Sequence, residues 1–372
     1  MMLNFDPDKP LAGEMRIVEN ATLVPWGRGQ KQRMARPAGV FAADGAYCED
    51  AITYRTATRP TSTLPERPAA DEVKNQKKGT ILFGGLAYGH FGHVICESIA
   101  RLWAIDTYKG TIDGIAYFPK KRLTWPQRSL TQLQPMIDKM GLLPPLMAMN
   151  DPTLVERLLI APQAFGVNDM IGGSPEFRKF TNDRFRERTV PNGPEKLYIS
   201  RSEVFHKRGR FLLETQIEAY LKAEGFAIFH PQQHDVQTQL EHYKAAKIII
   251  SSDNSALHLA GFVAQPDCRV VILLRRPGKI YLDFQEQLRR FSGIEPTIID
   301  HCERYWFREG EPTQFNEIMS LINFDLVAKK LSHAGVISKA GWDDPTEDDI
   351  SASLKKLEDH ANTPFTEVFI PS

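Results

Sequence analysis

The sequence predicts an α/β protein of two domains, each built around a largely parallel sheet. Three observations lead to this fold class. The chain has 372 residues, which is long enough for two separate cores. In its second half, short apolar runs alternate strictly with helical patterns over short connections, as in doubly wound sheets. The first half shows a looser version of the same alternation.

The first half contains apolar runs that we interpret as strands, together with one hairpin and two helices. The strands are predicted at 15–24, 80–83, 114–118 and 154–160, the hairpin at 39–48, and the helices at 91–103 and 129–140. The alternation of strand and helix after residue 80 indicates a parallel sheet.

The most informative stretch follows the predicted strand 80–83. Glycines end the strand there, and apolar residues then recur with helical spacing up to residue 103. His93, Glu97 and Arg101 are four residues apart, so a helix would place them on one face, beside the core-facing side. Such an arrangement is typical of a positioned acid or base, with His90 close by.

Two simpler readings of these residues stay open. Glu97 and Arg101 could form a solvated ion pair worth roughly 0.3–0.5 kcal/mol, while His90 caps the turn. His90, His93 and Glu97 could instead be metal ligands, since all three are of ligand types. On a helix, however, His90 would lie about 10 Å along the axis from Glu97, so only His93 and Glu97 could share an ion. The sequence offers no obvious third ligand.

The composition of the chain argues against several classes of protein. The 46 basic and 46 acidic residues cancel to a formal net charge of +0, which argues against a general nucleic-acid binder. The four cysteines show neither metal-ligand spacing nor a dense disulfide framework, so we expect a cytoplasmic location. The N-terminal residues lack a signal-peptide pattern and no apolar run approaches about 18 residues, so we expect no membrane span.

The second half begins after a turn-rich linker at 191–194, and its predicted strands and helices alternate more regularly than those of the first half. Strands are predicted at 196–200, 226–229, 247–251 and 269–274, with helices at 212–224, at 236–246 and from 255 onward. Strict alternation with short connections describes a Rossmann-like sheet, whose ligands sit at the carboxyl ends of the strands.

Two loops at those ends have the residue types that bind phosphate. The loop 201–210 is rich in arginine, and 251–258 is small and polar and leads into a helix N-terminus. The alternative is a charged surface loop and an ordinary helix cap. Neither loop contains a dinucleotide-binding or P-loop glycine motif. The candidate diphosphate or nucleotide ligands are Arg201, Arg208, Arg210, Asn254, Ser255 and His258.

Residues 93–103 resemble the His-x-x-x-Asp/Glu-x-x-x-Arg-Leu-Trp signature of glycosyltransferase family 61, which includes bacterial capsular polysaccharide enzymes. The second half is similar to that family's donor-domain pattern at 198–201, 208–214 and 255–258. The resemblance extends over 84–274. Two positions depart from the pattern: Leu213 stands where the family has asparagine before Glu214, and Asn254 stands where it has glycine. Asparagine tolerates left-handed backbone angles, so the turn at Asn254 is expected to survive.

The resemblance implies an architecture of the GT-B type, with two Rossmann-like domains facing a cleft. Residues 1–190 would form the acceptor-side α/β domain and 191–314 the nucleotide-sugar domain. Residues 315–372 would add C-terminal helices, predicted at 315–332 and 344–360, that pack back on the N-terminal domain.

The resemblance also implies an inverting, metal-independent transfer from a UDP-linked or similar nucleotide-diphosphate sugar, with no cofactor. The acceptor would be a glycan or lipid-linked glycan of surface or capsular polysaccharide, handled in the cytoplasm or peripherally at the inner membrane. Glu97 or His93 would be the base and the other would orient it. Two alternatives stay open: a non-catalytic nucleotide-sugar or carbohydrate binding module, and a metal-dependent hydrolase using His93 and Glu97.

Overall fold

The computed structural model describes residues 3–27, 35–120, 128–204, 208–310 and 315–370. The chain divides into two compact units, Met1–Arg188 and Thr189–Ser372.

The first unit combines a six-stranded sheet with short helices. Its strands are β1 Arg16–Val24, β2 Arg36–Pro37, β3 Gly39–Phe41, β4 Tyr54–Thr56, β5 Arg59–Pro60, β6 Ser62–Thr63, β7 Asn75–Ala87, β8 Gly114–Pro119, β9 Leu146–Ala148 and β10 Thr153–Ile160. Its α-helices are α1 Phe91–His93, α2 Ala104–Thr107, α3 Arg128–Thr131, α4 Gln134–Met140 and α5 Pro175–Thr181. Two π-helices, Val94–Ser98 and Asn182–Arg186, complete the α1 and α5 segments.

The main sheet of the first unit is mixed. Its order is β3-β1-β10-β7-β8-β9, and the strands β10, β7, β8 and β9 are parallel neighbours. The expected parallel sheet is therefore present in these strands. However, β1 pairs antiparallel with both β10 and β3, so the unit is not doubly wound throughout. This pairing needs no crossover helix, and the sequence pattern alone does not reveal its direction.

The segment predicted as one helix over 91–103 is more irregular than its periodicity indicates. Only Phe91–His93 is α-helical, the next turn is the π-helix Val94–Ser98, and hydrogen-bonded turns lead to α2. Apolar residues still face the core, because Val94, Ile95 and Trp103 are fully buried. Single π-turns occur frequently at functional sites.

A glycine pair in β7 shapes the backbone just before this turn. The pairing of β7 with β8 shifts register between Phe83 and Gly85, and Gly85 has φ +93°. Gly84 lies against the buried ring of Tyr117, whose hydroxyl donates a 2.7 Å hydrogen bond to the carbonyl of Ser98. The Ser98 hydroxyl in turn donates to the Leu86 carbonyl at 2.9 Å. The π-turn is thereby fastened to the sheet.

The second unit contains a parallel sheet and a smaller mixed sheet. Its strands are β11 Lys196–Ile199, β12 Arg210–Phe211, β13 Ala227–Phe229, β14 Ile248–Ser252, β15 Arg269–Leu273, β16 Thr297–Ile299, β17 Cys302–Arg308, β18 Met319–Ile322 and β19 Phe365–Val368. Its helices are α6 Glu214–Ala223, α7 Val236–Ala245, α8 Ala256–Val263, α9 Tyr281–Ser292, α10 Phe324–His333 and α11 Glu347–Ala361.

The five-stranded sheet of the second unit is entirely parallel, with the order β13-β11-β14-β15-β16. Numbered within the sheet, this is the 2-1-3-4-5 order of a doubly wound fold. The predicted strands and helices from 196 to 274 are confirmed, with ends that differ by one or two residues. The side chain of Asp235 caps α7 by accepting from the Thr238 amide at 2.7 Å.

The C-terminal segment differs from the prediction in one place. The helix expected over 315–332 is wrong in its first part, where a 3₁₀-helix at Phe315–Glu317 is followed by β18 of the sheet β12-β18-β17-β19, and the α-helix α10 begins only at Phe324. A short apolar run such as that of β18 suits a strand or a buried helix equally well. The helix expected over 344–360 is present as α11. Side chains of β18, α10 and α11 pack into the core of the second unit.

Two further backbone features bear on function. Leu213, just before α6, has left-handed angles of φ 59° and ψ 28°, whereas Asn254 does not. The expectation of a left-handed turn at Asn254 is therefore wrong, and the left-handed position is at Leu213. Throughout the described ranges, no helix combines the length and apolar character needed to cross a membrane.

The Gly84→Ala substitution should destabilise the first unit by about 1–3 kcal/mol, because overpacking a closed core costs that much. The new Cβ would lie 2.6 Å from Cε1 of Tyr117, a buried ring held by its bond to Ser98. Gly89→Ala is the matched control, since nothing lies within 4 Å of its added Cβ. Urea unfolding measures both variants, and equal stabilities would contradict this account of the bulge.

Candidate functional site

The first candidate site lies where β7 and β8 end. These strands are parallel neighbours, so their carboxyl ends meet at one edge of the sheet. Tyr88 and His90 follow β7, and Lys120 follows β8. The Lys120 amide donates to the Ala87 carbonyl at 3.1 Å, which holds the two strand ends together.

The centre of this site is a hydrogen-bonded pair. His93 Nδ1 lies 2.5 Å from Oε1 of Glu97. The Glu97 side chain is 1 % exposed and that of His93 is 24 % exposed. Because a carboxylate only accepts, Nδ1 carries the proton in this bond and Nε2 keeps its lone pair. The second carboxylate oxygen, Oε2, is buried and has no hydrogen-bond partner among the described residues.

Tyr88 holds the His93 ring in place. The two rings stack with centroids 4.8 Å apart and planes 15° apart, while Lys120 Nζ lies 4.6 Å from the centroid of the Tyr88 ring. Burial raises the pKa of the Tyr88 hydroxyl well above its usual value, and the nearby charge of Glu97 raises it further. His90 is exposed and meets the His93 ring edge-to-face at 5.5 Å. The structure therefore brings His90, His93 and Glu97 together.

Arg101 does not belong to this site. It is 2 % exposed, and its guanidinium donates to the carbonyls of Ala161 and Ile52. Burial lowers its pKa to about 10. Since Arg101 and Glu97 are both buried, the alternative of a solvated ion pair between them is wrong. Arg101 instead ties the π-turn segment to two distant stretches of backbone.

The second candidate site lies at the carboxyl edge of the parallel sheet in the second unit. In the 2-1-3-4-5 order, the connections from β11 and from β14 leave in opposite directions, which opens a crevice between their ends. Arg201 lies just beyond β11, and Asn254 and Ser255 lie just beyond β14. The two loops thus begin at neighbouring strand ends, at the topological switch point of the sheet.

The arginines of the first loop have different environments. Arg201 donates from Nε to the Gly209 carbonyl at 3.0 Å, and its amide donates to Oε1 of Glu214 at 2.8 Å. Arg210 donates to the carbonyls of Ser202 and Val204, so it fastens the loop from within. Arg208 is exposed. Residues 205–207 of this loop lie outside the described residues.

The residues of the second loop are held mainly by bonds within the protein. Asn254 donates to the Ser252 carbonyl at 2.8 Å and accepts from the Ala256 amide at 2.9 Å, which shapes the entry to α8. Ser255 precedes α8 without a side-chain capping bond. His258 is buried, with Nδ1 2.6 Å from Oε1 of Gln287. Burial lowers the pKa of His258 to about 4, so its ring is neutral near pH 7.

Four charged residues that the sequence reading missed surround Arg201. Arg275 and Arg276 follow β15, Asp253 follows β14, and Glu214 begins α6. Asp253 pairs with Arg276 and accepts from the Arg275 amide at 3.0 Å. Adjacent arginines directly after an apolar run were the available signal, because this is where doubly wound sheets bind ligands.

Arg275 is the most unusual member of this group. It is 3 % exposed, and its Nε and Nη1 have no hydrogen-bond partner among the described residues. Nε lies 3.8 Å from Oδ1 of Asp253, too far for a hydrogen bond. Burial lowers the pKa of Arg275 to about 9; Asp253 opposes this shift, and Arg201 and Arg276 add to it.

The low pKa of His258 predicts an acid-sensitive fold. Its folded-state pKa of about 4 lies below the usual 6.5, so the unfolded chain binds the proton more readily. Stability should therefore fall as the pH drops from 6.5 towards 4, by about 3 kcal/mol in total from this group.

His258→Gln should not show this part of the fall in stability at low pH. The exposed His360→Gln should show the same dependence of unfolding free energy on pH as the wild type. Unfolding free energies measured at several pH values give the three slopes. An unchanged slope in His258→Gln would contradict the assignment of a neutral, buried ring.

Comparison with known proteins identifies part of the chain. A family model described as Glycosyltransferase 61 matches residues 91–271. The match begins at α1, includes His93 and Glu97, and ends within β15, before Arg275. No individual curated protein matches the chain. The family resemblance predicted from residues 93–103 is thus supported over residues 91–271, which include parts of both units, and this match identifies the chain as a glycosyltransferase.

Proposed function

We propose that this glycosyltransferase transfers a sugar with inversion from a nucleotide-diphosphate donor to a hydroxyl of a glycan acceptor, with His93 as the catalytic base. The observation that carries the proposal is the bond between His93 and the buried carboxylate of Glu97. The family 61 domain supports the general activity. The identity of the base is argued from the environments of the two side chains.

His93 is the better base because it is the member of the pair that a substrate can reach. Glu97 is 1 % exposed, so its oxygens are closed off, whereas His93 is 24 % exposed. Since Nδ1 is bonded to Glu97, Nε2 is the nitrogen left to accept a proton. Glu97 fixes the tautomer and stabilises the imidazolium that forms. Tyr88, stacked on the ring, limits its rotation.

The proposed step is a single displacement. The acceptor oxygen attacks the anomeric carbon of the donor sugar and forms the new glycosidic bond. The bond from that carbon to the diphosphate oxygen breaks, and its electron pair leaves with the nucleoside diphosphate. The acceptor proton passes to Nε2 of His93. Inversion follows because attack and departure occur on opposite faces of the carbon.

The leaving diphosphate needs positive charge, and the second unit offers it at its strand ends, where Arg201 lies. Guanidinium groups can take the role that a divalent cation plays in other transferases. We therefore propose a metal-independent reaction in an architecture of the GT-B type, with acceptor and donor held by separate units. Synthesis of a surface polysaccharide, with a UDP-linked donor, is the context we propose.

No observation favours the alternatives. A hydrolase would need a metal site, and within the described ranges no three His, Cys, Asp or Glu side chains are grouped to hold one. Nδ1 of His93 is already bonded to Glu97. A binding module would not require a histidine and a buried carboxylate held in this geometry.

His93→Asn should lower kcat by about 10²–10⁴, the usual contribution of a positioned base. Glu97→Gln should lower kcat less, because His93 remains. Transfer of labelled sugar at saturating substrate measures kcat for both variants.

The double variant His93→Asn/Glu97→Gln should be no slower than His93→Asn alone, because residues that act as a unit are non-additive. Circular dichroism and thermal unfolding verify that each variant is folded. A Glu97→Gln enzyme as slow as His93→Asn would instead identify Glu97 as the base.

Removal of divalent cations should leave the transfer rate unchanged if guanidinium groups supply the positive charge. Rates measured after exhaustive treatment with a chelator, and again after addition of Mg²⁺ or Mn²⁺, check this. Loss of activity that either ion restores would refute metal independence without affecting the assignment of His93.

A further inference from the structure

We propose that Arg275, together with Arg201 and Arg276, binds the diphosphate group of the nucleotide donor, with Arg275 as its principal anchor. This inference rests on the proposed function for the identity of the ligand. Arg275 and Arg276 lie beyond the segment matched by the family model.

A buried guanidinium normally has a bond for each of its nitrogens. Burying a charge away from water is costly unless hydrogen bonds compensate for the loss, and buried polar groups without partners are rare. Arg275 is 3 % exposed, yet two of its nitrogens lack a hydrogen-bond partner in the described part of the chain. A bound ligand that accepts hydrogen bonds would supply the missing partners.

The charge of the surrounding group indicates an anion. Arg276 lies close enough to lower the pKa of Arg201 and of Arg275, and Asp253 and Glu214 are the carboxylates that oppose these shifts. Three arginines therefore face two carboxylates. The group keeps an excess of positive charge in a poorly solvated place.

The hydrogen bonds that Asp253 accepts leave the two adjacent arginines in different states. Asp253 accepts from Nε of Arg276 and from the backbone amide of Arg275. Arg276 is thus oriented by a carboxylate, whereas the Arg275 backbone is fixed and its guanidinium is left with unused donors. This is the arrangement expected of a preorganised anion ligand.

A diphosphate fits these features better than a simple carboxylate does. Guanidinium groups donate only, and their planar forks match phosphate oxygens in pairs. Arg201, Asp253 and Arg275 follow three strands, β11, β14 and β15, that are neighbours in the sheet. The guanidinium donors therefore come from two strand ends, β11 and β15, on either side of β14, as suits a group with two linked phosphates at a switch point.

The test uses the full chain and measures binding of inorganic pyrophosphate and of UDP by titration calorimetry. Arg275→Met and Arg275→Lys should each weaken both affinities about 10- to 100-fold, the usual effect of losing hydrogen bonds to a charged group. Inorganic phosphate serves as a third probe and should bind more weakly than pyrophosphate to the wild-type chain. Equal affinities for phosphate and pyrophosphate would indicate a site for a single phosphate and overturn this part of the proposal.

Arg289→Gln is the matched control, because it removes the same charge from the last turn of α9, at the opposite edge of the sheet. Arg289 is 50 % exposed and pairs with Glu286. This variant should bind both probes as the wild type does.

Melting temperatures without ligand separate binding from structure. Arg275→Met should melt no lower than the wild type, because an apolar side chain replaces a buried charge that makes no hydrogen bond from Nε or Nη1 to the described residues. A lower melting temperature with unchanged pyrophosphate affinity would make Arg275 a structural residue and overturn the inference. Should Arg275→Met fail to fold, the affinity of Arg275→Lys decides.

Failure of this inference is distinguishable from failure of the proposed function. Sugar transfer by the wild type with undiminished UDP affinity in Arg275→Met would leave the function intact and remove Arg275 from the donor site. Loss of UDP affinity in Arg275→Met, in a chain that transfers no sugar, would leave the anion site and refute the function.

Discussion

Parallel pairing between neighbouring strands is the constraint on which both candidate sites depend. It aligns the carboxyl ends of strands that are far apart in sequence. In the first unit the pairing of β7 with β8 brings Tyr88 beside Lys120. In the second unit the order β11-β14-β15 does the same for the residues that follow those strands. Each site is therefore built from chain segments whose positions are fixed by backbone hydrogen bonds, while contacts such as that between Tyr88 and His93 orient the side chains.

Burial of charge is the feature that the two sites share. Glu97 and Asp253 are both almost inaccessible to solvent, and each is compensated by hydrogen bonds from a neighbouring side chain or amide. Arg101 shows the structural use of the same principle, because carbonyl oxygens take up its donors. Arg275 is the exception, since its donors are not all taken up among the described residues. The contrast between these two buried arginines separates a structural charge from a candidate ligand-binding one.

The sequence predicted the second unit better than the first for physical reasons. Between 196 and 274, turns and caps such as Asp235 mark each element, and short connections leave few alternatives. The antiparallel direction of β1 and the π-turn at Val94–Ser98 are set by tertiary bonds, for which periodicity gives no signal. The contact between His93 and Glu97 was predictable because their four-residue spacing also brings them together in the wider turn. The neutral state of His258 and the unused donors of Arg275 depend on burial, which only the packed structure reveals.

The left-handed backbone conformation of Leu213 affects the start of α6. A left-handed conformation costs a non-glycine residue about 1–2 kcal/mol, while burying part of a leucine side chain returns a similar amount. Leu213 has such angles and packs against the core of the second unit. The two contributions nearly cancel, so this left-handed turn costs the fold little. Because Glu214 accepts from the Tyr198 hydroxyl and from the Arg201 amide, the turn fixes one end of the arginine-rich loop to the end of β11.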